Sequence, residues 1–208
     1  WRRGDTDLIE IVADKQKYKP GETAKLMVKS PYARATALIT VEREGIISRW
    51  TQELKGGADV VRVPLDDRAV PNVYVGVVAL KGRSGNPQYG EDGDDLSKPQ
   101  AKFGYAALSV DPGGRRIAVE IKSDKGDYRP GAVVKAELWA RDEAGRPVPA
   151  EATVYAVDEG VLNLTAYQTP DPWGEFYGDR PLLVGSADSR QFVIGQRSFG
   201  EKGKNRGG

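Results

Sequence analysis

Two groups of charged side chains are the first candidates for chemistry. Glu91, Asp92, Asp94 and Asp95 place four carboxylates within five positions, and Arg197, Lys202, Lys204 and Arg206 place four cations near the C-terminal end. Oxygen-rich loops hold calcium, but this spacing lacks the alternate-position ligands and the closing Glu of an EF-hand loop, so it reads as a solvated hairpin connection. The pair Asp158 and Glu159 fits no glycosidase, because neighbours on a strand face opposite ways and cannot flank one bond. The basic residues are different, since they are what a protease recognises when the backbone around them is extended and accessible. From Gly200 onward the chain is almost entirely glycine and charge. Such a stretch buries too little apolar area to offset the entropy of ordering, so 200–208 is expected to be mobile. Arg197, Lys202, Lys204 and Arg206 are therefore the candidate cleavage sites. An ordinary linker has the same composition, and the residues alone leave both readings open.

The rest of the inventory removes mechanisms. With no Cys and no His, there is no thiol nucleophile, no imidazole base and no thiolate or imidazole zinc site. No catalytic residue, metal ligand set or cofactor is expected, and an enzyme reading is poorest. The glycines of "GEKGKNRGG" lack the order and context of a phosphate loop. Thirty-one basic against thirty acidic residues leave a formal charge of +1, which recommends neither nucleic acid nor an anionic membrane as partner. No apolar run approaches the roughly 18 residues of a membrane span, so no direct membrane insertion is expected. The opening "WRRGDTDLIE" lacks Met and a signal-peptide core, and reads as internal to something longer. Absence of Cys fits a reducing cytosol and a bacterial envelope equally well.

What must position these groups is written in a repeat. "KYKPG" at 17–21 returns as "DYRPG" at 127–131, and an ungapped offset of 110 also aligns Glu10 with Glu120, Ile11 with Ile121, Asp14 with Asp124, Lys15 with Lys125 and Lys25 with Lys135. That period is far longer than a solenoid unit, so it reads as two tandem domains of one type. Pro presets the second turn position and Gly supplies the positive φ of a type II turn. After each turn alternation resumes, with Ala24, Leu26 and Val28 on one face in the first copy and Val134, Ala136, Leu138 and Ala140 in the second. In each copy that face is expected to be buried and the opposite one wet. Tyr18 and Tyr128 are expected to cover their own turns.

Further strands are expected at 35–44, 46–54, 58–65, 72–82 and 102–112, with Gly45 in a hairpin turn. Seven short strands in the first unit suit an antiparallel β-sandwich of immunoglobulin or fibronectin type III shape. "DPGGRR" punctuates a boundary near 113, giving 1–112, 113–199 and a tail at 200–208. In the second unit strands are expected at 116–122, 132–140 and 151–158, then the pattern fails. A short helix is expected at "DPWGEFYG", with Asp171 as cap and Pro172 at the first helical position. The aromatics Tyr167, Trp173, Phe176 and Tyr177 are either a docking element or packing within the domain. The fold class is all-β: two tandem antiparallel β-sandwiches, the second incomplete and carrying the tail.

The stretches "YKPGETAKLMVKSPY", "ALITVEREGI", "VPNVYVGVVAL" and above all "VYAVDEGVLNLTAYQTPDPW" resemble bacterial members of the α2-macroglobulin family, in the middle of those long chains. "AVDEGVLNLT" is the specific marker. The resemblance implies that both units are macroglobulin domains and that the second is the one interrupted by the bait region. It implies an inhibitor of endopeptidases that traps a protease once the bait is cut, with residues 200–208 as the first of the bait and the closing strands of the second domain downstream. Target endopeptidases and other macroglobulin domains of the same parent are the implied partners. A periplasmic or cell-envelope location is implied, with the parent free or lipid-anchored to the inner membrane. The family's thioester needs a Cys, so this segment cannot perform covalent capture. The alternative is a tandem immunoglobulin-like module for cell-surface binding or adhesion without inhibitor activity. A glycan-binding accessory domain using Trp173 or Tyr177 ranks last.

Overall fold

Alternation along one strand fixes where the core lies. In β3 (Thr23–Ser30) Ala24, Leu26 and Val28 are fully buried while Lys25 and Lys29 face solvent. The computed structural model describes residues 8–91, 95 and 97–187. β3 is the centre of a three-stranded antiparallel sheet, between β1 (Glu10–Ala13) and β6 (Gly57–Pro64). Opposite it lies a five-stranded sheet. β4 (Ala35–Glu42) and β7 (Asn72–Lys81) pair at its middle, with β5 (Ile46–Leu54) outside β4 and β8 (Gln100–Val110) outside β7.

Ala37 and Ile39 of β4, Val73, Val75 and Val77 of β7 and Leu108 and Val110 of β8 close the core against β3 and against Val61 and Val63 of β6. Each fully buried Val or Leu is worth roughly 1.5–3 kcal/mol, so this double layer dominates the energetics. The expected strands of the first unit are all present, their ends shifted by at most two residues. Gly45 lies in the turn between β4 and β5, its carbonyl accepting from the Arg43 amide at 3.1 Å.

Two features depart from a purely antiparallel reading. β2 (Lys17–Tyr18) runs parallel to the end of β8, and Leu8 makes a parallel bridge to Phe103. The Ile9 amide donates to the Phe103 carbonyl at 2.9 Å, so the entering chain closes the edge between the two sheets. Gly104 is required there, because a Cβ would collide with the Ile9 carbonyl oxygen.

The repeated sentence builds the same hydrogen-bonded corner twice. In the first copy the Tyr18 hydroxyl donates to Asp14 Oδ1 at 2.8 Å and accepts from the Lys15 amide at 3.1 Å. The same carboxylate oxygen accepts from the Lys25 amide at 2.9 Å. In the second copy Tyr128 donates to Asp124, the Lys125 amide donates to Tyr128 at 3.0 Å and the Lys135 amide donates to Asp124 at 3.3 Å. Both turns close from the fourth residue to the first, Glu22 to Lys19 at 3.1 Å and Ala132 to Arg129 at 3.0 Å, with Gly21 at φ +88° and Gly131 at φ +79°. The tyrosines therefore brace the loop before the turn.

Tertiary surroundings separate the copies. Among the described residues, all the buried hydrophobic side chains lie between Ile9 and Val110. In the second unit β9 (Ala118–Ser123) and β10 (Ala136–Arg141) form a two-stranded antiparallel sheet. The face expected to be buried is open, with Val134 48% and Leu138 42% exposed, because no second sheet covers it among the described residues. The strand expected at 151–158 is absent for a related reason: among the described residues it has no partner strand to complete its backbone hydrogen bonds. Its last residue instead caps α1 (Glu159–Thr165), Asp158 Oδ1 accepting from the Gly160 amide at 2.8 Å. No helix among the described residues is long and apolar enough to cross a membrane.

Burial pushes the Tyr18 hydroxyl up to about 12 from its ordinary 10.0, with the hydrogen bond to Asp14 adding to the rise. A proton held more tightly in the folded chain means that stability is complete below pH 10 and falls as the pH climbs through the folded value. Tyr18→Phe should lower stability by about 1–2 kcal/mol at pH 7 and should flatten the alkaline loss, as urea unfolding at neutral and alkaline pH will show. Tyr128→Phe should leave the cooperative unfolding of the first sandwich unchanged.

Candidate functional site

The expected helix forms one residue later than the motif suggested. It is α2 (Trp173–Tyr177), with Pro172 just before it and Asp171 Oδ1 accepting from the Trp173 amide at 3.0 Å. Its position is set by two arginines of the connector between the units. Arg116 donates to Asp171 Oδ2 at 2.7 Å while its guanidinium lies 4.8 Å from the centre of the Trp173 ring. Arg115 reaches the other way, donating to Asp67 Oδ1 at 2.8 Å in the first sandwich, and passes 6.0 Å from the Tyr177 ring. The rings of Trp173 and Tyr177 meet at a 45° tilt with centres 4.5 Å apart, and Tyr177 packs against the core of the first sandwich. The Arg116 guanidinium, helped by the Trp173 amide, holds the Asp171 carboxyl below its ordinary range.

The aromatic group singled out from sequence is therefore split. Trp173 and Tyr177 belong to this latch, while Tyr167 meets Tyr155 edge-on at 6.4 Å. Phe176 remains 66% exposed. After Gly178, where a Cβ would strike the Gly174 carbonyl, the chain does not return to the second unit. It runs as a strap across the five-stranded sheet of the first.

The strap is held mainly through its backbone. The Arg180 amide donates to Asn72 Oδ1 at 2.8 Å, and Asn72 Nδ2 donates to the Arg180 carbonyl at 2.9 Å. The Tyr74 hydroxyl adds a third bond to that carbonyl at 3.1 Å. The Leu183 amide donates to the Arg43 carbonyl at 2.8 Å, and the hydroxyls of Ser186 and Tyr105 lie 3.0 Å apart. Arg180 also pairs with Glu44 at 2.9 Å. Leu182 and Val184 are half-buried while Pro181 and Leu183 face outward, the alternation of an extended strand. Asn72 is itself buried, and its carbonyl accepts from Arg43 at 3.3 Å.

The candidate cleavage sites Arg197, Lys202, Lys204 and Arg206 lie outside the described residues, as do Asp92 and Asp94. The strap is the described chain that leads toward those basic residues. Of the acidic loop, Asp95 is engaged within the loop itself: it pairs with Arg83 at 2.7 Å and accepts from the Ser97 and Gln88 amides. Those bonds, Arg83 first, hold its carboxyl low. Asp158 and Glu159 do not share a site, since Asp158 is a helix cap and Glu159 opens the first turn. Sequence reasoning missed the strap and its partners Asn72, Tyr74 and Arg43, whose only local signal was the alternation of "PLLVG".

Comparison with known proteins gives this arrangement a family context. A family model described as the alpha-2-macroglobulin bait region domain matches residues 9–164. The chain is similar to an alpha-2-macroglobulin homolog of Nostoc, 28% identical over 93% of this chain and 10% of that protein. It is likewise similar to the alpha-2-macroglobulin of Escherichia coli, 28% identical over 84% of this chain and 10% of that one. A solved structure of Salmonella alpha-2-macroglobulin reacted with methylamine is 22% identical with a TM-score of 0.43, over 85% of this chain and 11% of that one. The chain thus spans about a tenth of the length of the curated relatives it matches.

The latch is testable by local exchange. Arg116→Ala removes both the ion pair and the ring contact, and cation–π contacts of this kind are individually modest. Hydrogen–deuterium exchange should then speed up several-fold, on the order of 3–10 times, across 171–178 while β3, β4 and β7 keep their protection.

Proposed function

We propose a function from the fact that the chain belongs to the alpha-2-macroglobulin family, as a segment of a bacterial member: it is the part that presents a cleavable bait to endopeptidases. The match to the bait region domain over residues 9–164 carries this reading. The chain that follows is rich in glycine and carries Arg197, Lys202, Lys204 and Arg206. We assign these as the bonds a trypsin-like enzyme cuts first.

The segment's role is that of substrate and scaffold, with no catalysis of its own. A rigid sandwich with a readily cut extension is the combination such a device requires, because cleavage must be confined to the least stable part of the chain. The open face of β9 and β10, with Val119 60% and Ile121 59% exposed, is then completed by strands that follow the bait. Other macroglobulin domains of the same parent and target endopeptidases are the partners. The cell envelope, facing the periplasm, is the location that the family reading suggests.

Limited trypsin digestion of the complete protein, read by mass spectrometry, should give first cuts after Arg197, Lys202, Lys204 or Arg206, at least about tenfold faster than any within 24–80, where cutting requires opening the core. The trapped trypsin should lose activity toward large protein substrates and keep it toward small peptides. First cuts inside 24–80, or trypsin unaffected after bait cleavage, would count against the proposal.

A further inference from the structure

We infer that Asn72 is a positioning residue that sets the upstream limit of the protease-accessible stretch, by clamping the backbone of Arg180 and thereby holding 180–186 on the first sandwich. The inference deepens the bait reading and rests on it for its biological sense. A protease binds its substrate as an extended strand, using the amides and carbonyls of the residues around the cut. On the strap three of those groups are already engaged. The Arg180 amide and carbonyl both bond to the Asn72 side chain, 2.8 and 2.9 Å away, and the Leu183 amide bonds to the Arg43 carbonyl at 2.8 Å.

Side-chain exposure and backbone availability therefore part company. Leu183 is 65% exposed, an attractive side chain for an enzyme that prefers large apolar residues, yet its amide is committed to the Arg43 carbonyl in the turn between β4 and β5. Asn72 suits the task because a carboxamide carries an N–H donor and a carbonyl acceptor side by side in one plane, which can face the donor and acceptor of one peptide residue together. Buried beneath the strap, it has little water to compete for those bonds. Arg43, whose guanidinium donates to the Val70 carbonyl at 2.6 Å and the Asn72 carbonyl at 3.3 Å, supports the Asn72 backbone from below. The Asn72 side chain reads only backbone, so it fixes register without constraining side-chain identity at position 180.

The test uses the complete protein with chymotrypsin and elastase, whose preferences cover Leu182, Leu183 and Val184. In the unmodified protein no cut should appear between 179 and 184 after the downstream stretch has been fully cleaved. Asn72→Ala should expose Leu183 or Val184 to cutting at least about tenfold faster, while the melting transition of the sandwich is followed in parallel. Arg180→Pro is the second variant. It deletes the amide that Asn72 accepts from, and it lies on the exposed strap, outside the core. It should give the same new cuts with the sandwich at full stability. Equal protection of 179–184 in both variants, or cutting there in the unmodified protein as fast as downstream, overturns the inference. Inhibition measured on the same samples separates the two readings: unmodified protein that shows the protection pattern but never restrains the protease refutes the bait function and leaves the clamp standing.

Discussion

A sheet face made of Val, Leu and Ile has to be covered, and the rest of this structure depends on that requirement being met in one unit and left open in the next. In the first unit β3 and β6 supply one inner face and β4, β7 and β8 the other, and Leu26, Val28, Ile39, Val61 and Val75 are completely excluded from water. Tyr18 lies at the end of that core because β2 pairs with β8, and Gly104 has no side chain because the entering strand crosses above it. In the second unit the same alternation along β9 and β10 faces solvent, and local hydrogen bonds shape what the core does not. Asp124 gathers the Tyr128 hydroxyl and the Lys135 amide. Asp142 likewise gathers the Ala144 and Arg146 amides to close the turn after β10.

This contrast explains what the sequence could and could not disclose. Features decided within a few residues were legible: the Pro-Gly turns with their positive φ, the strand alternation, and the capped helix after Asp171. The repeat of Asp, Lys, Tyr, Pro, Gly and Lys at one offset encodes one hydrogen-bonded corner, which is why it survives intact in two different surroundings. Features decided by distant partners were not legible. The parallel pairing of β2 with β8 joins residues that no periodicity connects. The expected strand at 151–158 fails because a strand is defined by its neighbour, whereas α1 needs only the cap of Asp158 and its own backbone. Asn72 and Arg180 meet across 108 positions, and nothing near either residue marks the other.

The connector shows how weak surface contacts become directional. Arg115 and Arg116 are adjacent in the connector and their side chains diverge, one to Asp67 on the first sandwich and one to Asp171 before α2. A single exposed ion pair contributes little. Here each guanidinium also lies over an aromatic ring of α2, and Tyr177 reaches the first core. The helix is therefore tied to the connector at one end and to the sandwich at the other, and the chain leaving it is already aimed at the five-stranded sheet.

Anchoring that departing chain through its main chain has a consequence that apolar anchoring would lack. A side-chain pocket tolerates sliding whenever a similar residue lies two positions away, because strand side chains repeat with that period. A reciprocal amide pair with one buried Asn admits one residue at a time, and the Leu183–Arg43 bond three positions on fixes the direction. A protease needs those same donors and acceptors, so occupation by the sheet and occupation by the enzyme are mutually exclusive. On the bait reading proposed above, the upstream boundary would be set by backbone hydrogen bonding at Arg180 and Leu183, with side-chain identity on the strap playing little part.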